Sequence, residues 1–378
     1  MANFPEFSLY SFLSHEAAES FSTAQTDNVT NFLLALFVDG KFYTIFSLLF
    51  GIGFSIILSN CRQRGANGLK VFYRRMAVLL AIGFLHLMFV WSGDILMLYA
   101  LIGMILPLFL KLSDKKLLFC ASFFLFLPVI IDCVCQIADL HPSAAIVGWQ
   151  WQYCDRFGIT EDNFAYWLRD AHTYSDTFKF LIQGAIVRLQ EFVDGNRYFK
   201  VLGLFLIGYY IGRNRMYAQI AERKAALKSI LKVGLGLGLP LSSLYAWSAV
   251  SGKPFGIGIH SLFYFISVYL TSFGYIALIA LAYDKHKSAA IWRFFALPGR
   301  MALTCYIGQS AIGMAIFYGI GMGLGATMGL AWVEIIVIGV YLFEAMFCAG
   351  WLKVFRFGPL EWVWRCLTYG KLFKILKH

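Results

Sequence analysis

The stretch "GFLHLMFVWSGDILMLYAL", residues 83–101, sets an imidazole and a carboxylate inside an almost unbroken apolar run. His86 followed eight positions later by Asp94 is a pairing that can do acid–base work. A carboxylate fixes the tautomer of a neighbouring histidine and stabilises the imidazolium that forms when the ring takes a proton. The same positions also suit an interhelical hydrogen bond, and "SGD" is a good turn and helix-start sequence ahead of Ile95. Other titratable groups fall in comparable apolar surroundings: Asp39, Lys41, Asp132, His260 and Glu334 at one depth, and Arg75, Arg300, Gln309 and Glu344 towards the other side. Ionisable groups in a membrane face a cavity or a partner. The expectation is one chamber in which His86 and Asp94 are catalytic and Lys41, Arg188, His260 and Glu334 bind substrate. Arg75, Arg300 and Gln309 would hold a phosphate-bearing donor.

The elements that would position these groups are membrane helices. The chain of 378 residues is 60% hydrophobic and 14% charged, with a mean hydropathy of +0.68, far from the balance of a soluble domain. Its apolar segments are continuous rather than alternating, which excludes a closed barrel and points to an all-α, polytopic transmembrane bundle. Nine spans are expected, roughly 42–58, 76–91, 95–110, 117–135, 198–212, 229–250, 259–283, 301–324 and 330–352, in a single integral-membrane domain over 1–378. The loops 60–75, 111–116, 213–228 and 284–300, with the tail from Lys353, hold 23 Lys or Arg against four acidic residues; the remaining segments hold seven against 14. The net charge of +11 is therefore an orientation signal. It puts the C-terminus in the cytoplasm and residues 1–41 and 136–197 outside, with basic loops against anionic lipid and no nucleic-acid motif.

An N-terminus outside, with no Lys or Arg in the first 31 residues, is most simply explained by a further helix ahead of Met1, ten spans in all. The segment 136–197 is expected to form one or two amphipathic helices along the outer surface, with Arg188 on their apolar side either snorkelling or binding an anion. The eight cysteines show no metal-site spacing; Cys133, Cys135 and Cys154 are candidates for an outer disulfide. Gly234/Gly238, Gly319/Gly323 and Gly321/Gly325 have the spacing of close helix packing.

Five ordered blocks, "DGKFYTIFSLLFGIGFSIIL" (39–58), "FYRRMAVLLAIGFLHLMFVWSGDILMLYALIG" (72–103), "GLFLIGYYIGRNRMY" (203–217), "LPGRMALTCYIGQS" (297–310) and "FGPLEWVWRCLTYG" (357–370), resemble the YeiB-like family of bacterial inner-membrane proteins of unknown function. That family is distantly similar to membrane acyltransferases of the heparan-glucosaminide acetyltransferase and carbohydrate O-acyltransferase type. The resemblance implies transfer from cytoplasmic acyl-CoA to an envelope glycan or lipid, without a metal. Its distinctive polar positions fall on Lys41, Arg75, His86, Asp94, Arg188, Arg300, Gln309, Glu361 and Arg365. The Asp-x-x-Arg-Gly stretch with which such proteins open is missing. The competing expectation is a transporter or lipid-handling protein with a proton or solute path along His86, Asp94 and Glu334.

Overall fold

Arg197–Arg213 is apolar on every face between its charged ends, so it has no side to present to water and must be enclosed. It sits at the centre of the bundle, where Val201, Leu204, Phe205 and Leu206 are wholly buried. Lys41–Gln63 packs along one side and Asp114–Ile137 along another. The structure, a computed structural model, describes residues 3–377, and the only strand-like feature among them is a bridge between Phe355 and Leu376. Each of the nine expected spans is helical over most of its length, and the protein is an all-α polytopic membrane bundle. Six helices or continuous helical stretches are long and apolar enough to cross a membrane, and Leu96–Phe109 and Ala302–Phe317 are shorter apolar ones. The exposed surface agrees: Leu108, Phe119 and Ile137 are 75%, 72% and 86% exposed, an apolar coat that lipid rather than water accommodates.

Local chemistry explains the irregularities. Pro107 turns the end of the Leu96–Ile105 helix into a 3₁₀ turn, and Pro240, lacking an N–H for the carbonyl of Gly236, accompanies the break between Lys224–Gly236 and Gly238–Val250. Gly234 and Gly238 both face Gly256–Lys285: a side chain at Gly234 would begin 2.7 Å from the backbone of Gly274. Gly234→Leu is therefore expected to destabilise the bundle by about 1–3 kcal/mol through overpacking against backbone that cannot step aside. A lowered melting midpoint in detergent is the check; an unchanged midpoint would contradict the close approach.

Two expectations need correcting. The span expected over 301–324 stops at Phe317, and residues 318–329 fold back as a glycine-rich turn, with Met322 N–H donating to the Ala315 carbonyl and Gly325 N–H to that of Phe317. Gly319 is there because Arg169 O would lie 2.2 Å from a Cβ, so its smallness serves contact with the 144–194 segment and not helix–helix packing. Residues ahead of Lys41, read as a tail, are instead packed: Ala24–Phe37 is a helix on Gly238–Val250. Its Asp27 is fully buried and accepts from Thr23 Oγ1 at 2.9 Å and Ala331 N–H at 2.8 Å. Gly40, with φ +72°, turns the chain from this helix into the next. Residues 144–194 form two longer helices, Ala144–Phe157 and Tyr174–Asp194, joined through two single-turn helices. All eight cysteines are free thiols.

Candidate functional site

The Gly68–Phe89 helix ends where Val90 and Trp91 both donate to the His86 carbonyl, at 2.9 and 2.8 Å. This tight end folds the chain into the Trp91–Asp94 turn and brings Asp94 back over the last helical turn. One oxygen of Asp94, Oδ2, accepts the Met97 N–H at 2.8 Å and so starts the next helix; the other, Oδ1, lies 2.8 Å from His86 Nδ1. One carboxylate therefore both meets the imidazole and starts the next helix. His86 and Asp94 are 2% and 1% exposed.

The far nitrogen of the ring is occupied as well. Ser310 Oγ, on the Ala302–Phe317 helix, is 2.9 Å from His86 Nε2. With Nδ1–H donated to Asp94, Nε2 is left as the acceptor and the Ser310 hydroxyl as its donor. A hydroxyl, an imidazole and a carboxylate are thus joined in one line across two helices and a turn, the arrangement that activates a serine as a nucleophile. Ser310 lay inside a quoted block without being singled out from sequence. Being un-ionisable, it escapes any census of buried charge, and only its place one turn after Tyr306 marks it.

The 144–194 segment holds this turn in place. Arg188 Nε donates to the Ser92 carbonyl at 2.9 Å, and Tyr174 OH donates to the Phe89 carbonyl at 2.7 Å. The Arg188 guanidinium also pairs with Glu191 and stands 3.6 Å from Glu6, while Arg197 reaches the same Glu191 at 3.4 Å. Glu6 lies outside the spans; burial lifts its carboxyl above the ordinary value, opposed by Arg188.

A cavity of about 1270 Å³ opens beside these groups. Around its mouth stand Asp39, Asp132, Arg188, Arg197, Lys200 and His260, and its depth is lined by Phe46, Phe50, Leu79, Leu96, Leu303 and Trp364. Helix ends carrying the acidic set of loops therefore do gather at one place. His86, Asp94 and Ser310 are not in the wall. Trp91 and Tyr306 are, and their rings lie 6.2 and 5.2 Å from the His86 ring. His86 and Asp94 are accommodated among hydrocarbons by each other and by Ser310, one layer behind the chamber rather than facing it.

Of the remaining sequence candidates, His260 lines the mouth with Nδ1 3.0 Å from Ser248 Oγ. Lys41 is fully buried and turns away from the cavity, donating to the Ala35 carbonyl at 2.6 Å over the face of Tyr245. Glu334 is also outside the wall, and neither of its oxygens has a partner among the described residues. Arg75 stacks on Trp364 at 3.6 Å, at the deep end of the cavity. Gln309 donates to Glu344 at 2.7 Å, and Arg300 is exposed at the end of Ala290–Arg300. Glu361 accepts the Leu303 and Thr304 N–H groups at 2.7 and 3.0 Å, which makes it a cap for the helix that carries Ser310; Arg365 lies over Phe357. Among the described residues no cluster has the makings of a metal site.

Comparison with known proteins finds relatives along most of the chain. Over 342 residues, 89% of this chain and 81% of the relative, the sequence is 29% identical to uncharacterized protein YxaH of Bacillus subtilis (strain 168). It is 28% identical to uncharacterized protein YeiB of Escherichia coli (strain K12) over 361 residues, 87% of this chain and 81% of that one. Residues 211–371 match the family described as "Protein of unknown function (DUF418)". The chain is similar to these uncharacterized proteins along most of its length. The DUF418 match takes in Ser310, Glu344 and Glu361, and His86 and Asp94 precede it. No solved structure matches the chain.

Proposed function

We propose that the protein is a membrane acyltransferase that moves an acyl group from acyl-CoA to an envelope glycan or lipid. The observation that carries this reading is the unbroken line Ser310 Oγ, His86, Asp94, at 2.9 and 2.8 Å. Ser310 Oγ attacks the thioester carbonyl while His86 Nε2 takes the hydroxyl proton. The tetrahedral adduct collapses, the C–S bond breaks, and the proton passes to the departing sulfur, leaving free thiol and an ester on Ser310. An acceptor hydroxyl then repeats the exchange in reverse: it gives its proton to His86, forms the new ester and restores Ser310. Asp94 touches no reacting atom and is a positioning residue. Access requires the Trp91 and Tyr306 rings to swing aside, since these two separate the line from the cavity.

The donor side is the one with the basic loops. Arg75, stacked against Trp364 at the deep end of the cavity, and exposed Arg300 suit the phosphates of a cytoplasmic acyl-CoA, whereas Gln309 is engaged with Glu344 and steadies the Ser310 helix. The acceptor side is the mouth with Arg188 and His260. By the distribution of Lys and Arg this mouth faces outward from the bacterial inner membrane, and the C-terminus lies in the cytoplasm. The depth of the cavity also favours a second reading, a lipid-handling protein without chemistry; a proton path along His86, Asp94 and Glu334 is less favoured, because none of the three lines the wall.

The test is to incubate the purified chain with acyl-CoA of short and long acyl length and to map acyl mass on the peptide containing Ser310. The expected result is an acyl adduct on Ser310 that is absent in Ser310→Ala. Labelled acceptor without an adduct on Ser310 would move the acyl-carrying role away from the serine, and no labelling with any donor would remove the enzymatic reading.

A further inference from the structure

We propose that the cavity binds an amphiphile, a lipid with an anionic, phosphate-type headgroup at the mouth and its hydrocarbon tail along the deep apolar wall. The shape comes first. The wall follows the Lys41–Gln63 helix from Gly40 to Phe50, about 15 Å at 1.5 Å per residue, or half of a hydrocarbon core of about 30 Å. The charged side chains of the lining are at the mouth, with Tyr99 and Tyr306 as further polar groups of the wall. Below them stand Phe46, Phe50, Leu79, Leu96 and Leu303, down to Trp364. Phe46 remains 47% exposed even though Tyr99 stacks on it, so an apolar surface is left uncovered inside the bundle, and a water-soluble ligand would leave it so.

The sign of the headgroup follows from which hydrogen-bonding capacity is already used. Asp132 accepts from Asn196 Nδ2 at 2.8 Å and from Ser261 Oγ, and Asp39 accepts from the Tyr245 hydroxyl. At the rim Asp194 accepts from Ser143 Oγ at 2.9 Å, and Asp139 is exposed to solvent. Lys200 and Lys253 also line the mouth, yet neither forms an ion pair among the described residues; Lys200 Nζ lies over the Tyr264 ring at 4.3 Å. Each ammonium carries three donors and no acceptor. The carboxylates of Asp39, Asp132 and Asp194 are each engaged within the protein while the donors of the two ammonium groups are not, and the group that completes those donors is an acceptor-rich anion. Arg197, held at one side by Glu191 at 3.4 Å, has further N–H groups for the same oxygens. This assignment does not rest on acyl transfer, because an acceptor lipid and a transported lipid would both occupy the site in this way.

The experiment is a titration of the full chain in uncharged detergent, followed by native mass spectrometry, with hexadecyl phosphate, hexadecanol and inorganic phosphate as probes. Hexadecyl phosphate is expected to bind at least tenfold more tightly than either of the others. Lys200→Gln/Lys253→Gln should weaken it at least tenfold without changing hexadecanol, and Leu79→Trp, which fills the deep wall, should weaken both tail-bearing probes. A melting midpoint for each variant separates lost binding from lost folding. Equal binding of hexadecanol and hexadecyl phosphate, or no effect of the double lysine variant, would overturn the headgroup assignment. Inorganic phosphate binding as tightly as hexadecyl phosphate would make the site one for a free anion and overturn the lipid.

Discussion

Asp94→Asn is expected to lower the turnover number for acyl transfer by about 10²–10⁴ while leaving KM unchanged. The carboxylate serves two donors at once, His86 Nδ1–H through Oδ1 and Met97 N–H through Oδ2, each at 2.8 Å. An amide has one oxygen. If that oxygen keeps Met97, the amide nitrogen faces Nδ1 and forces the ring proton onto Nε2, where it can no longer accept from Ser310. If instead the oxygen keeps His86, two N–H groups face one another at the helix start. The first arrangement removes the base and spares the fold; the second loosens the turn. Steady-state kinetics beside a melting curve tell them apart: loss confined to turnover, with the folded fraction intact, marks Asp94 as positioning the base. His86→Ala should match or exceed this loss, and His86→Ala/Asp94→Asn should be no worse than His86→Ala alone, because groups that act as a unit are not additive. Additive losses, or activity that merely tracks the folded fraction, would reduce the pair to a structural tie.

The pairing of His86 with Asp94 was legible because it is local, set by a helix end and a four-residue turn. Ser310 is 224 residues away from its histidine partner, and depth in the membrane could not say which helices are neighbours. Lys41 shows the same limit at the level of one side chain. It opens the Lys41–Gln63 helix, but the ammonium turns towards Ala35 and Tyr245, a rotamer choice that hydropathy does not encode. The spans themselves were readable because a membrane helix must be apolar along its length. The 318–329 turn was not, because its glycines look the same whether they let two helices approach or let a chain reverse. Ala24–Phe37 was missed for a related reason: its Asp27 is buried by partners, Thr23 and Ala331, one of which comes from the far end of the chain.

Arg188→Leu is expected to cost about 2–3 kcal/mol of stability, with the deficit widening as pH rises. The guanidinium is 6% exposed and is shared among the Ser92 carbonyl, Glu191 and Glu6. Removing one partner of a fully buried pair costs about 3–5 kcal/mol. Here the two carboxylates are 34% and 33% exposed and Glu191 keeps Arg197 at 3.4 Å, so water and the second arginine reduce the penalty. The pH dependence comes from Glu6. Burial raises its folded-state value, so its contribution is full below the unfolded value of about 4.5 and is lost as pH climbs through the folded one. Arg188 opposes that rise; without it the folded value moves higher, and the gap between variant and wild-type melting midpoints should be larger at pH 8 than at pH 5. A gap that narrows on going to pH 8 would contradict the pairing. Because Arg188 also holds Ser92, whose turn carries Asp94, the variant should lose acyl transfer even at pH 5 and low temperature, where it remains folded. That residual loss separates the hold on the turn from the cost of unpaired carboxylates, and ties the 144–194 segment to the chemistry of the His86 line.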